Sequence, residues 1–254
     1  MTEGISNSMQ NHLVDAVERS DVRHSPFDHI YMEDVLPAAD YEALISNLPD
    51  RRFYHELRHV DAMRSDGHST RFRLYLYPEL VKRLPATQRA VWEPVARAFC
   101  DPRLEQAFKR KFRDALEERF KKPVERIGLY PIPILLRDQP GYRISIHADA
   151  PTKAITVQFY LPVDESQRQL GTIFHEGNEG ELAERTTKMP FMPSSGYAFP
   201  VSLTKSWHSA ATTTDADGER ISMMVTYYVA DDLTGWLKYR LRRLGLLFDW
   251  HPKG

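Results

Sequence analysis

The chain has 254 residues, a formal net charge of −1 and one cysteine, Cys100. The near-neutral balance excludes a general polyanion-binding surface, and a single cysteine excludes an intrachain disulfide. A hydrophobic content of 42% suffices for one buried core. No run approaches the ~20 apolar residues of a membrane span, and no signal peptide is visible. The expectation is a cytoplasmic protein with neither nucleic-acid nor membrane partners.

Residues 1–24 read as a flexible N-terminus and 25–254 as a single domain. The phrase SPFDHIYMEDVLP reads as a short strand entering a helix, with Tyr41, Leu44, Ile45 and Leu48 as its inward stripe. Residues 51–70 are polar and read as mobile. RFRLYLYPEL is a strand candidate with Arg71, Arg73 and Tyr75 on one side. A helix follows over about 86–99. A second starts at Asp101-Pro102, where Asp is a good N-cap and Pro fits the first helical position. In it Leu104, Phe108, Phe112, Leu116 and Phe120 recur every four residues, and Asp114, Glu117 and Glu118 interrupt the cations. That pattern is an amphipathic helix with a solvated face, not a nucleic-acid stripe.

From about residue 126 the pattern changes to strands: RIGLYPIPILL, YRISIHA, KAITVQFYL, GTIFH, SGYAFPV and RISMMVTYYV. Short β-branched and aromatic runs between turn signals indicate a sandwich or barrel. The segment 163–195 reads as a long loop of the kind that forms lids. A closing helix over 232–248 is expected to turn Leu237, Leu241, Leu244 and Phe248 inward.

Within the β-rich half stands His147-Ala148-Asp149, followed at a distance by His208 and then Arg220. Residues two apart on a strand share a face, so His147 and Asp149 can reach one ion together. Two histidines and a carboxylate are the donor set of a non-haem Fe(II) site with open positions. The triplet His59-Val60-Asp61 has the same spacing but lies in a charged stretch without period-2 patterning, and reads as a polar loop. His175, with Arg185 ten residues later, is the rival distal ligand. Arg185 sits in a polar stretch ending in Pro, which favours His208.

The order His147, Asp149, His208, Arg220 resembles the Fe(II)/2-oxoglutarate-dependent dioxygenases, nearest their prolyl-4-hydroxylase-like branch. Gly171-Thr172, Arg220-x-Ser222 and the segment Pro26–Pro49 share in the resemblance. It implies an α+β protein with a double-stranded β-helix (jelly-roll, cupin-like) core over 126–230, helical support over 25–122, and the C-terminal helix. It further implies iron held by His147, Asp149 and His208, with O₂ and 2-oxoglutarate as co-substrates. Arg220 would anchor the far carboxylate of 2-oxoglutarate, helped by Ser222, Tyr160 and Gln158, with Lys153 or Arg137 as fallback anchors. Arg71, Arg73 and Arg137 are candidate substrate residues. Related halogenases lack the carboxylate at the position of Asp149, so hydroxylation or desaturation is expected.

The function this implies is oxidation of an unactivated C–H bond of a small molecule in bacterial biosynthesis. A protein or peptide prolyl or asparaginyl hydroxylase is the enzymatic alternative. A non-catalytic jelly-roll metal-binding or sensor protein is the alternative from another class.

Overall fold

The computed structural model describes residues 2–178 and 181–249. In chain order the elements are α1 (Thr2–Arg19), β1 (Ile30–Met32), α2 (Ala38–Ser46), β2 (His55–Glu56), β3 (Arg71–Tyr75), α3 (Pro78–Val81), α4 (Ala86–Phe99), α5 (Pro102–Lys111), α6 (Arg113–Phe120), β4 (Leu129–Asp138), β5 (Ile144–His147), β6 (Lys153–Tyr160), β7 (Thr172–Asn178), β8 (Glu181–Lys188), β9 (Gly196–Pro200), β10 (His208–Ala210), β11 (Arg220–Val229) and α7 (Leu233–Asp249).

The strands form two antiparallel sheets. The larger has the order β1-β9-β6-β11-β4-β3-β2 and the smaller β5-β10-β7-β8. Alternation assigns each face of the larger sheet a separate task. From β6, Val157 and Phe159 join the main core with Val225 and Tyr227 of β11. Phe99 of α4 stacks on Phe159 at 5.3 Å, and Phe108 of α5 meets Tyr227 at 5.9 Å, so the helices cover this face. The opposite face presents Thr156, Gln158, Met224 and Thr226 to a cavity. Phe174 of β7 packs edge-on against Tyr197 and Phe199 of β9, at 5.3 and 5.5 Å, and joins the two sheets.

Strand β4 carries Pro131 and Pro133 although it runs between β11 and β3. The Pro133 carbonyl accepts from Leu76 N, so its ring nitrogen faces the side on which β3 has ended. No ladder donor is needed there. Gly171, just before β7, is required by a close approach. A Cβ on it would lie 1.5 Å from the Met189 carbonyl oxygen.

Several elements depart from expectation. Thr2–Arg19, within the segment expected to be flexible, forms helix α1. Met9, Leu13, Ala16 and Val17 lie at helical spacing on α1, are buried, and dock it on α4 and α5. The amphipathic run 102–120 is two helices, because Phe112 leaves helical geometry at φ −112° and ψ 26°. The supposed lid at 163–195 contains a 3-10 turn and the β7–β8 hairpin, whose residues 179 and 180 lie outside the described ones. Helix α7 is rotated from the expected orientation. Leu237, Leu241, Leu244 and Phe248 are 51%, 58%, 52% and 77% exposed. Its inward face is set by specific partners: Tyr239 stacks on Tyr130 at 4.3 Å, and Arg243 forms an ion pair with Glu79.

Candidate metal centre and its cavity

His147 is the last residue of β5 and His208 the first of β10. The two are directly opposed in the β5–β10 register, with ring centroids 4.3 Å apart. Asp149 lies two residues beyond β5, in the turn before β6, so it reaches the histidines from a loop and not from the strand. One potential ligand atom from each of the three lies within 4.8 Å of the others.

The local hydrogen bonds decide which atoms are offered. His147 Nδ1 lies 3.0 Å from the Ser145 carbonyl oxygen, and His208 Nδ1 lies 3.0 Å from that of Ser206. A carbonyl only accepts, so both Nδ1 atoms carry the proton and both Nε2 lone pairs are left for a ligand. Thr156 donates to Asp149 Oδ2 at 2.6 Å, and the Lys153 ammonium donates to Oδ1. Burial alone would raise the Asp149 carboxyl, but His208, Lys153 and the hydrogen bonds from Lys153 and Thr156 hold it at about 2. Burial lowers His208 to about 4, against the attraction of Asp149. At neutral pH the cluster is therefore one carboxylate with a neutral His208, the protonation that a divalent metal requires. Two imidazole nitrogens and one carboxylate oxygen fit Fe(II) in the facial arrangement with open positions.

The triad opens into a cavity of about 420 Å³ between the sheets. Arg220 lines it and is 1% exposed. Its Nε donates to the Leu170 carbonyl and its Nη1 to Asp138 Oδ2, both at 2.9 Å, while Nη2 has no partner. Asp138, missed in the sequence, is fully buried and pairs in register with Arg71 on β3 and Arg220 on β11. Arg71 Nε lies 3.1 Å from Asp138 Oδ1. Two guanidinium groups and one carboxylate leave one positive charge in a buried setting. Such a charge, with a free N–H, fits a ligand carboxylate.

The other sequence candidates divide. Gln158 lines the cavity, donates to Ser222 Oγ at 2.8 Å and accepts from the Tyr197 hydroxyl at 2.8 Å. Tyr160 lies behind the wall, where its hydroxyl accepts from Thr172 N at 3.0 Å and its ring lies 5.6 Å from the Arg220 guanidinium carbon. Arg73 lines the cavity, as does Lys153. Arg137 does not. It sits on the other face of β4, 3.2 Å from Glu219 and over the Tyr54 ring, away from the cavity lining. His175 Nε2 bonds to Ser209 Oγ at 2.8 Å, and Arg185 lies near Glu176. The triplet His59-Val60-Asp61 is a 3-10 turn whose Asp61 accepts from Ser145 N at 2.9 Å, bracing β5.

No protein-family model and no curated protein sequence matches the chain. Solved structures do. A Pseudomonas putida prolyl-4-hydroxylase superimposes with a TM-score of 0.52 at 14% identity, over 87% of this chain and 98% of that one. A prolyl hydroxylase in complex with a hypoxia inducible factor oxygen degradation domain peptide fragment, from Trichoplax adhaerens, gives 0.50 at 14% identity over 89% and 91%. The non-heme alpha ketoglutarate dependent epimerase SnoN from nogalamycin biosynthesis gives 0.50 at 13% identity over 89% and 88%. At these identities the likeness is one of fold.

Proposed function

We propose that the chain is an Fe(II)/2-oxoglutarate-dependent oxygenase that oxidises a C–H bond of a small molecule. The observation that carries this reading is the pairing of two half-sites on one cavity. His147, Asp149 and His208 converge with both Nε2 atoms free, and Arg220 offers an unpartnered buried N–H. The two sheets would then form the double-stranded β-helix of this enzyme class, within one catalytic domain acting in the cytoplasm.

His147, Asp149 and His208 would hold iron, and Arg220 would hold the far carboxylate of 2-oxoglutarate. Once bound, iron and 2-oxoglutarate would supply oxidising power from O₂, with 2-oxoglutarate leaving as succinate and CO₂. The rest is work for the protein's own side chains. Thr156 and Lys153 orient Asp149, and the carbonyls of Ser145 and Ser206 lock both imidazoles. Asp138 holds the Arg220 guanidinium in place. Ile132, Ile134 and Met224 form an apolar part of the cavity wall, which would help exclude water from the reacting bond. With Asp149 as a third protein ligand, no place would be left for a halide, so hydroxylation or desaturation is the expected outcome.

The experiment is anaerobic titration of the Fe(II)-loaded protein with 2-oxoglutarate, following the visible absorption of the chelated co-substrate. The absorption should saturate at one equivalent and be absent in His208→Ala.

A further inference from the structure

The cavity holds more positive charge than iron and 2-oxoglutarate would use. The triad end contains Asp149 and Lys153, which neutralise each other. A divalent metal and the doubly charged co-substrate would also cancel. Arg71 and Arg220 share Asp138 and so keep one positive charge, beside which the co-substrate's far carboxylate would lie. Two further arginines line the same cavity, Arg73 of β3 and Arg242 of α7. Among the described residues neither forms an ion pair with a carboxylate.

These two meet at Tyr75. Arg73 lies over the Tyr75 ring, 5.1 Å from its centroid, and its buried Nε has no hydrogen-bond partner. Arg242 reaches from α7 towards Tyr75 and Tyr228. Arg71, Arg73 and Tyr75 share one face of β3, so Arg73 stands two residues from the Arg71–Asp138–Arg220 row and on the same wall. Beside this pair the wall is apolar, formed by Ile132, Ile134 and Met224. A buried N–H without a partner is costly unless a ligand satisfies it.

We propose that Arg73 and Arg242 bind the oxyanion of an acidic small-molecule substrate, whose apolar body lies over Ile132, Ile134 and Met224. This rests on the oxygenase reading above and specifies the substrate class for that site. Arg73, a half-buried side chain, supplies a directed N–H, and Arg242, an exposed residue of α7, supplies charge at the entrance. The ligand is an organic acid, either a carboxylate or a phosphoester.

The test uses benzoate, phenyl phosphate and neutral benzamide as probes. Each is titrated calorimetrically into the Mn(II)-loaded protein, with and without saturating 2-oxoglutarate. Benzoate or phenyl phosphate should bind in the presence of 2-oxoglutarate, benzamide at least about tenfold more weakly. Arg73→Gln and Arg242→Gln should each weaken the anionic probe about tenfold, the loss expected for one charge-assisted contact. Arg73→Lys, which keeps the charge, should restore part of the affinity and so separates recognition from misfolding. Tighter binding of one anionic probe identifies the headgroup. Equal binding of benzoate and benzamide, wild-type affinity in both Gln variants, or no binding of either anion would overturn the proposal. The oxygenase reading fails separately, by absence of 2-oxoglutarate binding in the wild type, and the titrations without 2-oxoglutarate still report on Arg73 and Arg242.

Discussion

His147 and His208 are 61 positions apart in sequence yet directly opposed across β5 and β10, with ring centroids 4.3 Å apart. Each points Nδ1 at the carbonyl two residues before it. The candidate metal centre is therefore organised by strand register. His147→Ala, Asp149→Ala and His208→Ala should each abolish tight Mn(II) binding, measured by electron paramagnetic resonance. His175→Ala should retain it, because that ring is turned to Ser209. Thr156→Val, which removes a hydroxyl that orients Asp149, should weaken the metal by roughly 10–100-fold.

Arg220 and Asp138 separate co-substrate binding from stability. Arg220→Ala should raise the Kd for 2-oxoglutarate by about one to two orders of magnitude, the equivalent of ~1.5–3 kcal/mol, and leave Mn(II) binding in place. Asp138→Asn leaves Arg71 and Arg220 buried without their shared carboxylate. It should lower the unfolding free energy by about 3–5 kcal/mol in urea titrations, because an uncompensated buried charge is the costly state.

Acid should destabilise the metal-free protein through His208. Its folded-state pKa is about 4, below the ordinary value of 6.5 that holds in the unfolded chain, because burial disfavours the charged ring. As pH falls below 6.5 the unfolded chain takes up a proton that the folded chain refuses, so stability declines until about pH 4 and then levels for this group. The shift corresponds to about 3 kcal/mol at most. Urea titrations in EDTA between pH 7 and 4 should show this slope, and His208→Gln should reduce it.

Arg119 of α6 ties the helical layer to the turn that carries Asp149. It donates to the carbonyls of Pro151, Lys153 and Val201 at 2.6, 2.7 and 2.6 Å. Arg119→Met should cost roughly 1.5–3 kcal/mol of stability. It should also weaken Mn(II), since the Asp149 turn loses its support.

The strands from β4 to β11 were legible where β-branched and aromatic residues alternate, as in β6 and β11. Strand β8, ELAERTTK, was not, because its residues carry no apolar alternation and its order comes from pairing with β7. His147, Asp149, His208 and Arg220 could be picked out from residue type and order, and the structure gathers them at one cavity. Asp138 was not, since its role follows from a register across three strands that no local pattern encodes. The orientation of α7 was misread for a related reason. Its leucine stripe is the stronger periodic signal, but Tyr239 and Arg243 have specific partners on the body of the protein.

The most direct test of the account is turnover of 2-oxoglutarate. The protein should convert it slowly to succinate even without a primary substrate, in air and with Fe(II), and not under argon, without iron, or in His208→Ala. Stoichiometric iron binding with no succinate under any of these conditions would contradict the oxygenase reading and leave a metal-binding protein without this chemistry.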